Sequence, residues 1–314
     1  DTGTQAGSTS DTTLTFTGTA EANATVQLFR GGGLAGSTTA DGDGNWTITT
    51  GELPEGYAAY EARAIDAAGN SSGWSNVVNV NIDTTAPAMP AIVSFANDSG
   101  VQGDGLTNDT TLTLTGTGAS GSTVVIYDGG VELGTAQVVG GGTWSFTTAT
   151  LADGQHSFTA TARDGAGNES AETAAFDVTI DATRPDQPAI TGYSDDTGNP
   201  DFQTSDNTLT FTGTAGAGET VNVYLGGTLV ATGIADGNGD WSASTGVIAD
   251  GFHYFHARAV DAAGNQSVQS SNYVVSIDTV PPAAPVITGL SNDNGAEPDD
   301  GISSFNWTYV SGTA

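Results

Sequence analysis

A chain of 314 residues with 36 Asp and Glu, 5 Lys and Arg and a formal net charge of −31 repels nucleic acid and anionic membrane surfaces, which both need a cationic partner. The lack of cysteine excludes disulfides, zinc–thiolate sites and thiol nucleophiles together. Regular apolar alternation at 37% hydrophobic residues excludes a disordered acidic tail, and no long apolar run or basic-then-apolar start predicts a membrane span or signal peptide.

Taken along the chain, the sequence repeats itself. Thr-Phe-Thr-Gly-Thr-Ala beginning at Thr15 returns as Thr-Leu-Thr-Gly-Thr-Gly from Thr113 and as Thr-Phe-Thr-Gly-Thr-Ala from Thr210, at offsets of 98 and 97 residues. Trp46, Trp144 and Trp241 keep those offsets, as do the Asp-x-Ala-Gly-Asn phrases that start at Asp66, Asp164 and Asp261. Asp83-Thr-Thr-Ala-Pro87, Asp181-Ala-Thr-Arg-Pro185 and Asp278-Thr-Val-Pro-Pro282 mark the boundaries, each followed by a second proline at Pro90, Pro188 or Pro285. Proline fixes φ and restricts the residue before it, so these short linkers are stiff.

Four segments follow. Residues 1–83 form a repeat lacking its first strand, 84–181 and 182–278 are complete repeats, and 279–314 hold the first two strands of a further, divergent repeat. Residue 1 falls inside the first long loop of its repeat. In the last segment, aromatics from Phe305 to Tyr309 replace the usual alternation of Thr with Leu or Phe.

Within the second repeat, residues 91–95 read as a strand and residues 97–109, rich in Asp, Gly and Asn, as the loop after it. Residues 111–115 alternate apolar and hydroxyl side chains with period 2, and 123–127 continue as a strand. Asp128-Gly-Gly130 supplies a hairpin turn, and residues 131–138 return from it. Trp144 opens the next strand, and residues 158–162 and 176–180 complete seven on either side of Asp164-Gly-Ala-Gly-Asn168. Seven short strands with regular turn signals predict an antiparallel sandwich with Greek-key connections, and nothing carries helical periodicity.

These combined phrases resemble the bacterial immunoglobulin-like tandem repeats of giant surface adhesins of the repeats-in-toxin class, over nearly the whole chain. The resemblance implies an all-β fold of tandem seven-stranded immunoglobulin-like β-sandwich domains joined end to end. It also implies type I secretion, anchoring on the bacterial cell surface and Ca²⁺ between domains.

The carboxylates point to the same ion by another route. A folded scaffold of this charge repels itself, bound divalent cations relieve the repulsion, and loop carboxylates are what hard cations select. At the joint between the second and third repeats, Asp98, Asp104, Asp109, Asp153 and Asp181 lie at the lower end of one repeat. Glu219, Asp236, Asp240 and Asp261 lie at the upper end of the next. The first joint pairs Asp83 with Asp164, and the third repeat's lower end carries Asp195, Asp206, Asp250 and Asp278. Two carboxylates 4 Å apart repel by about 1 kcal/mol in water and several times that near protein. The competing explanation is that Asp and Asn simply form turns and keep the surface soluble. Asp41-Gly-Asp-Gly-Asn45 imitates the opening of an EF-hand loop, but Trp46 stands where that loop needs glycine.

Three histidines, at 156, 253 and 256, without Cys or a His-Glu-x-x-His helix predict no zinc site. No Gly-x-Ser-x-Gly elbow occurs, and small sandwiches offer no cleft for glycoside hydrolysis, so no enzyme is expected. Trp46, Trp144 and Trp241 read as core, and the unrepeated Trp74 as a candidate for exposure. The function expected is a structural extender of a bacterial surface adhesin, a calcium-stiffened rod projecting a distal binding module outside the cell. Its partners are then the neighbouring repeats and a host-surface, glycan or biofilm-matrix ligand. The alternatives are a glycan- or protein-binding module acting through Trp74 or the tail at 305–309, and a spacer in a secreted polysaccharide-degrading enzyme.

Overall fold

The computed structural model describes residues 7–194, 202–291 and 309–313, in two compact units, Asp1–Thr183 and Arg184–Ala314. Among the described residues the regular structure is all strand, and no helix is long and apolar enough to cross a membrane.

The first unit begins with β1 (Ser8–Thr9), β2 (Thr15–Thr19), β3 (Thr25–Arg30), β4 (Gly33–Thr39), β5 (Asn45–Thr49), β6 (Gly56–Ile65) and β7 (Val78–Ile82). They form a five-stranded sheet, β1-β7-β6-β3-β4, and a two-stranded one, β2-β5. The second repeat adds β8 (Ala91–Ala96), β9 (Leu106–Thr107), β10 (Thr113–Thr117), β11 (Thr123–Asp128), β12 (Val131–Gln137), β13 (Thr143–Thr147), β14 (Gly154–Arg163) and β15 (Phe176–Ile180). Its sheets are β12-β11-β14-β15-β9 and β13-β10-β8.

The second unit repeats that plan with β16 (Ala189–Tyr193), β17 (Gln203–Thr204), β18 (Thr210–Thr214), β19 (Thr220–Leu225), β20 (Thr228–Ile234), β21 (Asp240–Ser244), β22 (Gly251–Val260) and β23 (Tyr273–Ile277). Its sheets are β17-β23-β22-β19-β20 and β16-β18-β21, and β24 (Val286–Ser291) pairs with β25 (Tyr309–Thr313).

Each complete repeat has eight strands, one more than its sequence pattern suggests. The addition is β9 or β17, a two-residue piece running parallel to the last strand of its repeat. Two residues are too few to carry any periodicity. The strand expected at 158–162 starts at Gly154, because β14 pairs with β15 from Gly154 to Phe158. The turn after β11 is as expected: Gly129 and Gly130 have φ of 55° and 83°, the left-handed pair that a two-residue hairpin needs.

Alternation builds the core. In β10, Leu114 is fully buried while the hydroxyls of Thr113 and Thr147 meet across the outer face at 2.9 Å. Leu112, Leu114, Val124, Ile126, Trp144, Phe158 and Val178 form one cluster, and Leu209, Phe211, Val221, Trp241, Phe255 and Val275 its counterpart in the third repeat. The glycine in Thr-Gly-Thr has a steric cause. A Cβ on Gly116 would lie 2.0 Å from the carbonyl oxygen of Ala91 and 2.4 Å from Trp144 Cζ2, and one on Gly213 would meet Ala189 and Trp241 in the same way. Trp144 and Trp241 are 3% exposed, whereas Trp46 is only half-buried. Trp74 is 53% exposed and meets Phe29 edge-on at 5.1 Å. Of the chain's arginines, Arg30, Arg63, Arg163 and Arg258 lie in strands, and Arg184 precedes Pro185 in a linker.

Candidate functional site

The joint between the first two repeats lies inside the first unit. It starts where β7 ends. The Asp83 amide donates to Thr9 O at 3.0 Å, and Asp83 Oδ1 accepts the Thr85 amide at 3.1 Å, folding the linker into a turn. Glu55 holds that turn from the side. Its Oε1 accepts Thr85 Oγ1 at 2.8 Å and the Thr84 amide at 3.2 Å, and the hydroxyl and amide together keep its carboxyl below the ordinary range. Asp153 does the same for the next linker, accepting Thr183 Oγ1 at 2.6 Å and the Ala182 amide at 3.1 Å, with its carboxyl depressed by those bonds. Asp250 accepts Thr279 Oγ1 at 2.9 Å.

Facing the linker is the 164–168 loop of the second repeat. Asp164 shapes it from within: Oδ1 accepts the amides of Ala166 and Asn168, each at 2.9 Å, and Oδ2 accepts Asn168 Nδ2 at 2.9 Å. Asp66 and Asp261 fold their own loops alike, through Asn70 and Asn265. At Asp66, the Asn70 side chain leads in holding the carboxyl below the ordinary range.

Hydrogen bonds between described residues cross the joint. Asn168 Nδ2 also donates to Asp83 O at 2.7 Å, and the Ser10 amide donates to Ala166 O at 3.1 Å. Ala166 is 1% exposed there, whereas Ala68, its equivalent in the first repeat, is exposed. Asp83 and Asp164 do come to the same joint, and what links them is the Asn168 amide, a donor between a backbone oxygen and a carboxylate.

The other predicted ligands are placed as follows. Asp181 and Asp278 turn their linkers through the amides of Thr183 and Val280. Asp109 and Asp206 open strands by accepting the amide and hydroxyl of Thr111 and of Thr208. Glu219 Oε2 accepts the Gly216 amide, and Asp236 Oδ1 accepts the amides of Asn238 and Asp240 on the way into β21. Asp41 makes the equivalent turn into β5, accepting the amides of Asp43 and Asn45. Asp104 Oδ1 accepts the Leu106 amide and Asp98 Oδ2 the Gly103 amide, while Asp98 Oδ1 is buried with no hydrogen-bond partner. Asp195 and residues 305–308 of the aromatic tail lie outside the described residues.

A calcium cage needs six to eight oxygens from several groups. Among the described residues no three His, Cys, Asp or Glu side chains gather to hold a metal, and Asp164 and Asp236 are turned inward to the amides of their own loops. Asp98 Oδ1, the one buried carboxylate oxygen without a partner among the described residues, belongs to a side chain that lines a cleft of about 410 Å³ with Asp104 and Asp177.

Asn168 and Glu55 are the functional residues that the acid pattern misses. Glu55 stands in register with Asp153 and Asp250, and Asn168 ends a phrase present in every repeat, so both signals lie in the alignment of the repeats.

Comparison with known proteins places these features. A profile described as a bacterial Ig-like domain matches residues 1–84, 85–182 and 184–279. Exoglucanase B of Cellulomonas fimi is 32% identical over 294 residues, which are 88% of this chain and 25% of that protein. The chain thus spans about a quarter of the length of that curated relative. Among solved structures, a 1.5-MDa bacterial ice-binding adhesin is 21% identical with a TM-score of 0.32, over 85% of this chain and 91% of that one. A tetra-tandem repeat in the extending region of a large adhesion protein is 23% identical with a TM-score of 0.27, over 91% of this chain and 76% of that one.

Proposed function

The chain belongs to the family of bacterial Ig-like domains, and from that premise we propose that it is an extender segment of a bacterial surface adhesin, outside the cell. Its task is to set distance and direction for a binding module elsewhere on the polypeptide, which meets a host-surface, glycan or biofilm-matrix ligand. The supporting observation is the first joint. A side-chain amide bridging Asp83 O and Asp164 Oδ2, a second bond from Ser10 to Ala166 and a linker turn held by Glu55 oppose swinging of one sandwich against the next.

The absence of cysteine makes the test direct. Spin labels on Ser37→Cys and Thr135→Cys, equivalent exposed positions of the first two repeats, should give a single narrow distance distribution by pulsed electron resonance. A broad distribution would reject a stiff joint and with it the extender role.

Calcium enters as an addition at the 97–105 loop, supported by the unpartnered Asp98 Oδ1 beside Asp104. Calorimetric titration should show one weak calcium site that Asp98→Asn removes. Loss of all signal in the unaltered chain would leave the ion without a place.

The likeness to Exoglucanase B favours a second reading, a spacer within a secreted polysaccharide-degrading enzyme. The mechanical role is the same and the neighbour differs. A catalytic module on the same polypeptide selects the spacer, and a surface-anchoring one the adhesin.

A further inference from the structure

The third repeat has an outer face unlike the rest of the molecule in charge. The chain carries 36 Asp and Glu, yet β17, β19, β20, β22 and β23, the strands of this repeat's larger sheet, contain neither. In register with the second repeat, Asp128, Glu132, Glu169, Glu172 and Asp177 are answered by Leu225, Leu229, Gln266, Gln269 and Val274. In the second repeat three of those acids accept from hydroxyls of β14: Ser157 donates to Asp177, Thr159 to Glu172 and Thr161 to Glu169. The third repeat puts Tyr254, His256 and Arg258 in place of those hydroxyls, and Phe252 in place of Gln155. The sandwich folds with either set, so its packing does not require the rings.

Alternation along β22 sends Phe255, Ala257 and Ala259 into the core, where each is fully buried, and so turns Phe252, Tyr254, His256 and Arg258 outward. Alternate residues of a strand stand about 6.7 Å apart, which makes a straight row. Phe252 is 75% exposed and Tyr254 57%. Beside the row Tyr224 lies opposite His256, with the rings stacked at 5.4 Å and 13°. Burial, followed by the charge of Arg258, holds His256 below its ordinary pKa, so near neutral pH Arg258 is the charged member of the row. Its Nη1 donates to Ser267 O at 3.1 Å, and Asn222 stands opposite it in register. The first strand of the repeat does not lie over this face, because β16 pairs with β18 in the other sheet.

We propose that this face binds an extended, neutral polysaccharide, which lies along β22 with its sugar rings on Phe252 and Tyr254. Exposed rings grouped on one face mark an interaction surface. In an equatorially linked chain the flat faces of the sugars carry C–H groups, which meet the electron-rich faces of aromatic rings. His256, Arg258 and Asn222 offer hydrogen bonds to sugar hydroxyls at one end of the row. Charge selects this occupant: a second copy of the chain brings another −31 and an acidic polymer is repelled likewise, whereas a neutral glycan meets no repulsion. Shape selects it further, since a straight row of rings matches an extended, equatorially linked chain and not an axially linked one that coils. Such a site serves an adhesin and a secreted enzyme alike.

The probes are hydroxyethylcellulose and galactomannan, with soluble starch and alginate as controls, each cast into a native gel through which the full chain migrates. At least one of the two neutral, equatorially linked polymers should retard the chain, and starch and alginate should not. Phe252→Gln and Tyr254→Ser, which copy the second repeat and so suit the fold, should each raise the dissociation constant about tenfold. Tyr254→Phe, which keeps the ring, and Gln155→Ala in the second repeat should leave it unchanged. Retardation by neither neutral polymer, undiminished retardation of Phe252→Gln and Tyr254→Ser, or equal retardation by starch or alginate overturns the proposal. So does a dimer in sedimentation that the same two substitutions dissolve, which would make a second copy the occupant.

Discussion

Replacing Asn168 by Ala removes one donor that serves two acceptors, Asp83 O across the joint and Asp164 Oδ2 within its own loop. The first repeat contains a built-in control. Asn70 makes the same bond to Asp66 Oδ2 at 2.8 Å, yet is exposed. Asn70→Ala therefore reports the cost of loosening the loop, and the excess in Asn168→Ala reports the bond across the joint. A net hydrogen bond contributes about 1 kcal/mol, which is about fivefold in an opening equilibrium. The Ser10 amide, bonded to Ala166 O, is the reporter. Its hydrogen exchange in the full chain should quicken about fivefold in Asn168→Ala and stay unchanged in Asn70→Ala. The Gly167 and Gly69 amides, bonded to Asp164 O and Asp66 O, should quicken alike in their respective variants. Equal quickening of Ser10 in both variants, or in neither, refutes the assignment of Asn168 to the joint.

Other outcomes follow from the same geometry. Gly116→Ala puts a methyl 2.0 Å from Ala91 O, so β8 must shift, and the second repeat should lose about 1–3 kcal/mol in denaturant unfolding. Gly121→Ala, with open space around it, tests φ strain alone. His156 is partly desolvated, which disfavours its charge, but Ala152 O at 2.9 Å and Asp128 Oδ2 at 2.6 Å prevail and raise its pKa. Its contribution is therefore complete below the ordinary value of about 6.5 and fades as pH rises through the higher folded value. Thermal melts from pH 6 to 9 should show that decline and His156→Asn should lack it. Asp153 has the opposite sign: its depressed pKa gives stability above the ordinary carboxylate value, lost as pH falls through the folded one. The linker amides at 182 and 183 should lose protection in acid, and Asp153→Asn should weaken that dependence.

Much of the fold was legible because hydroxyl–apolar alternation recurs in register, so Trp144 and Trp241 could be assigned to the core before any coordinate was known. Trp46 shares their register but is half-buried, because no strand among the described residues covers β2 as β8 covers β10. The short β9 left no trace because its pairing is decided by β15, more than 70 residues away. The acids were found but not their partners. Sequence shows a carboxylate's position, whereas its hydrogen bonds depend on loop curvature, which turned Asp164 and Asp236 toward their own amides. Asn168 was visible as a repeated letter, and only the approach of the first repeat's linker gives its amide a second acceptor.

The placement of the arginines bears on resistance to proteolysis. The chain has 5 basic residues, all arginine, so a protease that cuts after basic side chains has few places to act. Such an enzyme must draw an extended, unpaired stretch into its cleft, and Arg30, Arg63, Arg163 and Arg258 are engaged in hydrogen-bonded strands. Arg184 is exposed in a linker, but Pro185 follows it, and the proline ring removes the amide and crowds the bond to be cut. Trypsin should leave the folded chain intact while cutting the unfolded one, so digestion becomes a gauge of how often a whole repeat opens.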